Sequence, residues 1–152
     1  MKVNYIFFIL IFFVLQNCGY TPMYSNLKSQ NYQINIIDIK GNDEMNKVVN
    51  LQINKYSNKT SEKIIELKVK TFYEKDILSK DKKGKATNYL ISTRIDFEVN
   101  NFSENDQFTY NEKTKIKNID DKFELNTYED AIKNTFLSSS IKDLLLRVES
   151  MK

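Results

Sequence analysis

The residue pattern predicts an α+β domain: a two-layer sandwich in which a four-stranded, mostly antiparallel sheet carries two helices on one face. Three observations predict it. Two long runs alternate strictly between apolar and polar residues, a short strand followed by an amphipathic helical stripe precedes them, and a second helical segment closes the chain.

The first strand spans Tyr32 to Asp38, with Tyr32, Ile34 and Ile36 on one side. Ile37 and Ile39 break the alternation, and Gly41 ends the strand. Asn42 is a suitable helix N-cap, and Asp43 and Glu44 place negative charge in the first turn, where the helix dipole favours it. Met45, Val48, Val49, Ile53 and Tyr56 recur at helical spacing, so the first helix is expected over 43–56 with that stripe on the sheet.

Ile65, Leu67, Val69, Thr71 and Tyr73 then share one face of a strand, opposed by Glu66, Lys68 and Lys70. Tyr89, Ile91, Thr93, Ile95, Phe97 and Val99 do the same, opposed by Ser92, Arg94, Asp96 and Glu98. A period of two this clean means one buried and one wetted face. Lys75 to Lys85, with Gly84, is expected to be a long charged connection between the two strands. After a polar turn over 100–106, a fourth strand runs from Gln107 to about Lys117, with Phe108, Tyr110, Thr114 and Ile116 inward. Residues 119–126 show no period.

Thr127-Tyr128-Glu129-Asp130 resembles a capping box, which predicts a last helix over about 127–150. Its apolar residues form two stripes: Tyr128, Ala131, Ile132 and Phe136, then Leu137, Ile141, Leu144, Val148 and Met151 nearly opposite. The switch falls at Ser138-Ser139-Ser140, residues of mediocre helix propensity. Either the helix breaks there or it is buried on two sides.

The start of the chain has a different logic. Lys2 precedes an unbroken apolar run from Tyr5 to Leu15, and the chain's single cysteine, Cys18, follows. A membrane-spanning helix needs roughly 20 apolar residues, which this run does not reach, whereas an export signal uses about 7–15 behind a positive start. The segment resembles a bacterial lipoprotein signal, in which the cysteine becomes the lipid-bearing N-terminus. Leu15 stands three before Cys18, as such signals have it, while Asn17 stands where a small residue is usual. The competing reading is an uncleaved anchor with an incidental cysteine. The expected division is therefore a signal peptide over 1–17, a lipidated N-terminus and tether over 18–31 and one domain over 32–152. By resemblance to lipoprotein sorting, Gly19 directs the protein to the outer membrane.

Composition narrows the chemistry. There is no histidine and one cysteine, so Ser-His and Cys-His nucleophile systems, the usual zinc sites and an intramolecular disulfide cannot be built. No catalytic residue, metal or cofactor is expected. For a competing reading as an envelope hydrolase the nearest carboxylate pair is Asp96 and Glu98, which sits on an ordinary wetted strand face. The net charge of +3 is too small to imply nucleic-acid binding. With 21 lysines against 2 arginines, and 18 asparagines, every lysine cluster is discounted for composition before it is read as a site.

Cys18-Gly19-Tyr20-Thr21-Pro22-Met23-Tyr24 resembles the Cys-Gly-Phe-x-Pro-Leu-Tyr opening of the mature lipopolysaccharide-assembly lipoproteins of the LptE family, alphaproteobacterial type. Alternating strands after Ala86-Thr87-Asn88-Tyr89, Tyr110-Asn111 within a strand, and a closing helix with Asp130-Ala131 agree in order with that family. The resemblance implies a non-enzymatic partner of the outer-membrane translocon barrel LptD: a plug in its lumen that helps it fold and contacts lipopolysaccharide. An accessory or pilot lipoprotein of another envelope assembly machine is the alternative. For the lipopolysaccharide contact the candidates are Lys80, Lys82, Lys83 and Lys85, since lysine meets phosphate as a mobile point charge. Lys113, Lys115 and Lys117 form a second, one-sided ladder that would also protect an edge strand from aggregation.

Overall fold

The computed structural model describes residues 32–100 and 105–150. The signal, Cys18 and the tether lie outside the described residues.

Four strands and two helices follow one another as β1 (Gln33–Gly41), α1 (Asp43–Tyr56), β2 (Ile64–Lys80), β3 (Ala86–Asn100), β4 (Asn105–Lys117) and α2 (Lys122–Ser150). The sheet order is β1-β2-β3-β4. β1 runs parallel to β2 because α1 carries the chain back across the sheet, while the β2–β3 and β3–β4 pairs are antiparallel. Both helices pack on one face, where Met45, Val49 and Ile53 of α1 meet Leu67, Val69, Ile95, Phe97 and Val99 of the strands and Leu137, Ile141, Leu144 and Leu145 of α2. The expected fold is the observed one.

The broken alternation of β1 has a local cause. Ile36 pairs with Leu67 and Asp38 with Lys68, so Ile37 is bulged out of register and left exposed. Beyond the bulge the alternation resumes with Ile39 inward beside Val69. Gly41 ends the strand at φ +110, against Thr71: a Cβ there would lie 1.8 Å from the Thr71 carbonyl oxygen. Thr71 is buried and central to this corner. Its hydroxyl accepts from the Asn42 backbone N–H at 3.0 Å and donates to Asn46 Oδ1 at 2.7 Å. Asn42 caps α1 as expected, its side chain accepting from the Met45 N–H at 3.0 Å.

Three boundaries differ from expectation. The charged stretch after Tyr73 is strand, not loop. β2 continues to Lys80 because β3 pairs with it, Lys75 opposite Ile91, Asp76 opposite Leu90 and Ile77 opposite Tyr89, with Leu78 bulged out before Ser79 meets Asn88. β4 begins at Asn105, two residues early, opposite Asn100.

The third difference is in α2. The helix starts at Lys122, capped by Asp121, whose carboxylate accepts from the N–H groups of Phe123 at 2.8 Å and Glu124 at 3.2 Å. Thr127 is therefore inside the helix, bonding back to the Phe123 carbonyl, and not its cap. Nor does the helix break at Ser138-Ser139-Ser140 or bury two sides. One continuous stripe faces the protein: Leu125, Glu129, Lys133, Phe136, Leu137, Ser140, Ile141, Leu144, Leu145 and Val148. Tyr128 and Ala131, expected in a buried stripe, are exposed. The apolar pattern misled because two inward positions hold charged residues.

Candidate functional site

The candidate site is the end of the sheet where the β2–β3 hairpin turns. Asp81 builds the turn. Its carboxylate accepts from the backbone N–H of Lys83 at 2.8 Å and of Lys85 at 2.9 Å, and its own N–H donates to the Lys85 carbonyl at 2.8 Å. Gly84 supplies the positive φ that closes it. One acidic residue is thus consumed by turn geometry, and the surrounding lysine side chains project outward.

Register brings the two lysine groups together, which spacing in the chain did not show. Asn88 pairs with Lys117, Leu90 with Lys115 and Ser92 with Lys113, and the Asn118 N–H donates to the Thr87 carbonyl at 2.9 Å. The C-terminal end of β4 and the first turn of α2 therefore flank the hairpin turn. Of the four candidate lysines, Lys85 is engaged: its ammonium meets Asp120 at 2.7 Å, which holds its pKa above the ordinary lysine value. Lys80, Lys82, Lys83, Lys113, Lys115 and Lys117 form no ion pair among the described residues.

This end also exposes apolar side chains. Ile77 is 51% exposed, Leu78 48% and Phe123 81%. Ile77 pairs with Tyr89, which packs with Tyr73, Ile119 and Ile132 against a small core of Ile91, Ile116 and Leu125. Sequence reasoning missed the apolar part because it assigned Ile77 and Leu78 to a loop and Phe123 to an irregular stretch. The result is a cationic end with greasy side chains among the charges.

The part of the open sheet face away from the hairpin contrasts with it, because several of its charges are paired in place. Lys68 meets Glu98 at 2.7 Å, Lys40 meets Asp38 at 2.7 Å, and the Arg94 guanidinium holds Asp96 at 2.9 and 2.7 Å. Thr109 donates to Asp96 at 2.8 Å. Burial alone would raise the Asp96 carboxyl, but Arg94 and Thr109 outweigh it and hold the group below the usual carboxylate range. Arg94 and Lys70 both lie 5.0 Å from the Phe72 ring centre. Asp96 and Glu98, the carboxylate pair singled out from the sequence, are thus each tied to a different cation.

A third feature lies under α2. Tyr73 donates its hydroxyl to Glu129 at 2.6 Å, and Lys75 pairs with the same carboxylate while standing 4.4 Å from the Tyr89 ring centre. Lys133 pairs with Glu44 in the first turn of α1 and with Asp130 at 2.8 Å, and lies 4.9 Å from the Tyr73 ring centre. Burial would lower the Lys133 ammonium, yet the two carboxylates hold it above its ordinary value. Further along the helix Tyr110 donates to Asp143 at 2.7 Å. Among the described residues no helix is long and apolar enough to cross a membrane.

No protein-family model matches the chain, and no curated protein matches it. Solved structures do. Rare lipoprotein B from Shewanella oneidensis superposes with a TM-score of 0.50 at 14% identity, over 77% of this chain and 95% of that one. An uncharacterized lipoprotein B from Nitrosomonas europaea gives 0.47 at 13% identity, over 80% and 86%. A minor lipoprotein from Acinetobacter baumannii gives 0.49 at 12% identity, over 80% and 95%. At such identities the first of these establishes a shared fold and nothing finer: the chain has the architecture of a solved bacterial lipoprotein, with its lysine-rich hairpin end as the candidate binding surface.

Proposed function

We propose that the protein is a lipid-anchored lipoprotein of the outer membrane that acts by binding, not by catalysis. Its domain plugs the lipopolysaccharide translocon barrel, LptD, helps it assemble, and contacts lipopolysaccharide on the way to the outer leaflet. The observation that carries the reading is the hairpin half of the sheet, which carries Lys80, Lys82, Lys83, Lys113, Lys115 and Lys117, none of them in an ion pair among the described residues, together with exposed Ile77, Leu78 and Phe123. Anionic phosphates joined to acyl chains fit such a surface, charge to charge and apolar to apolar. The lipoprotein-type N-terminus around Cys18 and the fold shared with rare lipoprotein B support it.

A plug needs a compact body whose wetted face suits a polar lumen, and the polar open sheet face, with Lys68 paired to Glu98 and Arg94 to Asp96, has that character. A lipid anchor at Cys18 would hold the domain beside its barrel and raise the effective concentration. Purification of the full chain from native membranes tests the partner: a large outer-membrane barrel should copurify, and its absence removes the plug reading. If a barrel of a different assembly machine copurifies, the accessory-lipoprotein alternative replaces it. For the ligand, Lys82→Ser, Lys83→Ser and Lys115→Ser combined should weaken lipopolysaccharide binding on the order of a hundredfold at low salt, from roughly 1 kcal/mol per lysine at an anionic lipid surface. An unchanged affinity would exclude this end as the contact.

A further inference from the structure

The helix α2 is held down by two different chemistries along one stripe. From Phe136 onward it is apolar: Phe136, Leu137, Ile141, Leu144, Leu145 and Val148 enter the main core. Before Phe136 Leu125 is buried and Ile132 half-buried against the small core, and the remaining inward positions are the charged Glu129 and Lys133, each 8% exposed. Those two reach across to two other elements. Glu129 meets Tyr73 and Lys75 of β2, and Lys133 meets Glu44 of α1. The apolar residues beneath this half belong to the small core of Ile91, Ile116 and Leu125, separate from the main one.

The two halves respond differently to a fluctuation. Apolar packing is non-directional and is lost gradually as area opens to water. Paired buried charges offset their own desolvation only while the geometry holds, so their net contribution is small and vanishes together when the contacts part. Segments with few buried apolar contacts open at the low end of the local stability range. The boundary falls between Lys133 and Phe136. Just beyond it, Gln52 of α1 holds the Ser138 hydroxyl at 2.8 Å, which ties the helix at the start of its apolar half.

We propose that residues 122–133 of α2 form a hinged arm, latched by Glu129 on Tyr73 and Lys75 and by Lys133 on Glu44, which swings off the sheet while residues 136–148 stay docked, and that the apolar patch it uncovers at Ile91 and Ile116 receives an acyl chain. The acyl half of this inference rests on the lipid-contact reading of the hairpin end; the arm does not. Ile116 lies one residue from Lys115 and from Lys117 on β4, so a chain entering there would place its phosphate beside the lysines of the opposite face and edge. The latch thus couples access to the patch with contacts already made inside the fold.

Hydrogen exchange on the lipid-free mature protein, read peptide by peptide, tests the arm. Amides over 123–133 should be at least tenfold less protected than those over 140–148. Glu129→Gln should lower protection of the first segment a further tenfold and leave the second unchanged; Lys75→Met serves if that variant does not fold. Dodecyl phosphate below its micelle concentration should then increase exchange over 123–133 saturably, and dodecyl maltoside should not. Uniform exchange along the helix overturns the arm whatever the amphiphile does. Segmental exchange indifferent to dodecyl phosphate overturns the acyl site and leaves the arm standing.

Discussion

Tyr73 in the middle of β2 donates its hydroxyl to Glu129 on α2 at 2.6 Å, across the layer that separates sheet from helix. The partners explain each other. A buried carboxylate needs donors, and Lys75 and Tyr73 supply them; burial and that carboxylate together push the Tyr73 phenol above its ordinary value. The same tyrosine offers its ring to Lys133. One side chain therefore serves both inward charges of the helix.

Tyr73→Phe removes the donor and keeps the ring. Hydrogen bonds to charged groups contribute about 1.5–3 kcal/mol, so urea unfolding should show a loss in that range with the slope unchanged. A double-mutant cycle with Glu129→Gln should return a coupling of at least about 1 kcal/mol. Additive losses would mean that the pair is not a unit.

Gly41→Ala attacks the corner where β1 hands over to α1. The added methyl would meet the Thr71 carbonyl, which is backbone and cannot rotate away, at a φ that side chains rarely adopt. Strain of this kind costs about 1–3 kcal/mol, and overpacking adds a similar amount. A fall in stability of at least about 2 kcal/mol is expected by chemical denaturation, whereas Gly84→Ala, with open space around it but a positive φ, should lose less.

The two helix caps give a paired prediction. Asn42→Ala and Asp121→Ala each remove a side-chain acceptor for first-turn N–H groups and should each cost about 1 kcal/mol. They differ in reach. Loss of the Asp121 cap should be felt in exchange over the first turns of α2, and loss of the Asn42 cap at the Thr71 corner.

Acid should dissolve the pairing of Asp96 with Arg94 on the open face. Asp96 has a folded-state pKa below its unfolded value near 3.9, so its contribution is present above that value and is lost as pH falls through the depressed one. Asp143, lowered by Arg147 and Tyr110, behaves alike. Asp96→Asn should therefore be less stable than the parent at pH 7, and the gap should narrow toward pH 2.5. A gap that stays constant across that range would show that Arg94 and Thr109 do not stabilise the charged form.

Most of the fold was legible because it is written in local periods. The helix from Asp43 to Tyr56 with its Asn42 cap, and the strands around Leu67 and Phe97, follow from spacing that each segment carries by itself. The site was legible only in part. Lys80, Lys82, Lys83 and Lys85 stood out as a run, yet their neighbours across the sheet did not, since register depends on which strands meet. Cys18 lies outside the described residues, so its role rests on the sequence alone.

What the amino-acid order determined was the number and type of elements, the face each strand buries and the layer on which both helices lie, because apolar residues at period two or 3.6 leave a chain few ways to shelter them. What the tertiary structure alone decided was the inward turn of Glu129 and Lys133, the extension of β2 through Lys80, and the meeting of two lysine groups with Ile77, Leu78 and Phe123 at one end. The physical reason is common to all three. A charged residue announces only that it needs water or a partner, and whether a partner waits across the layer is settled when distant segments pack, not within the segment itself.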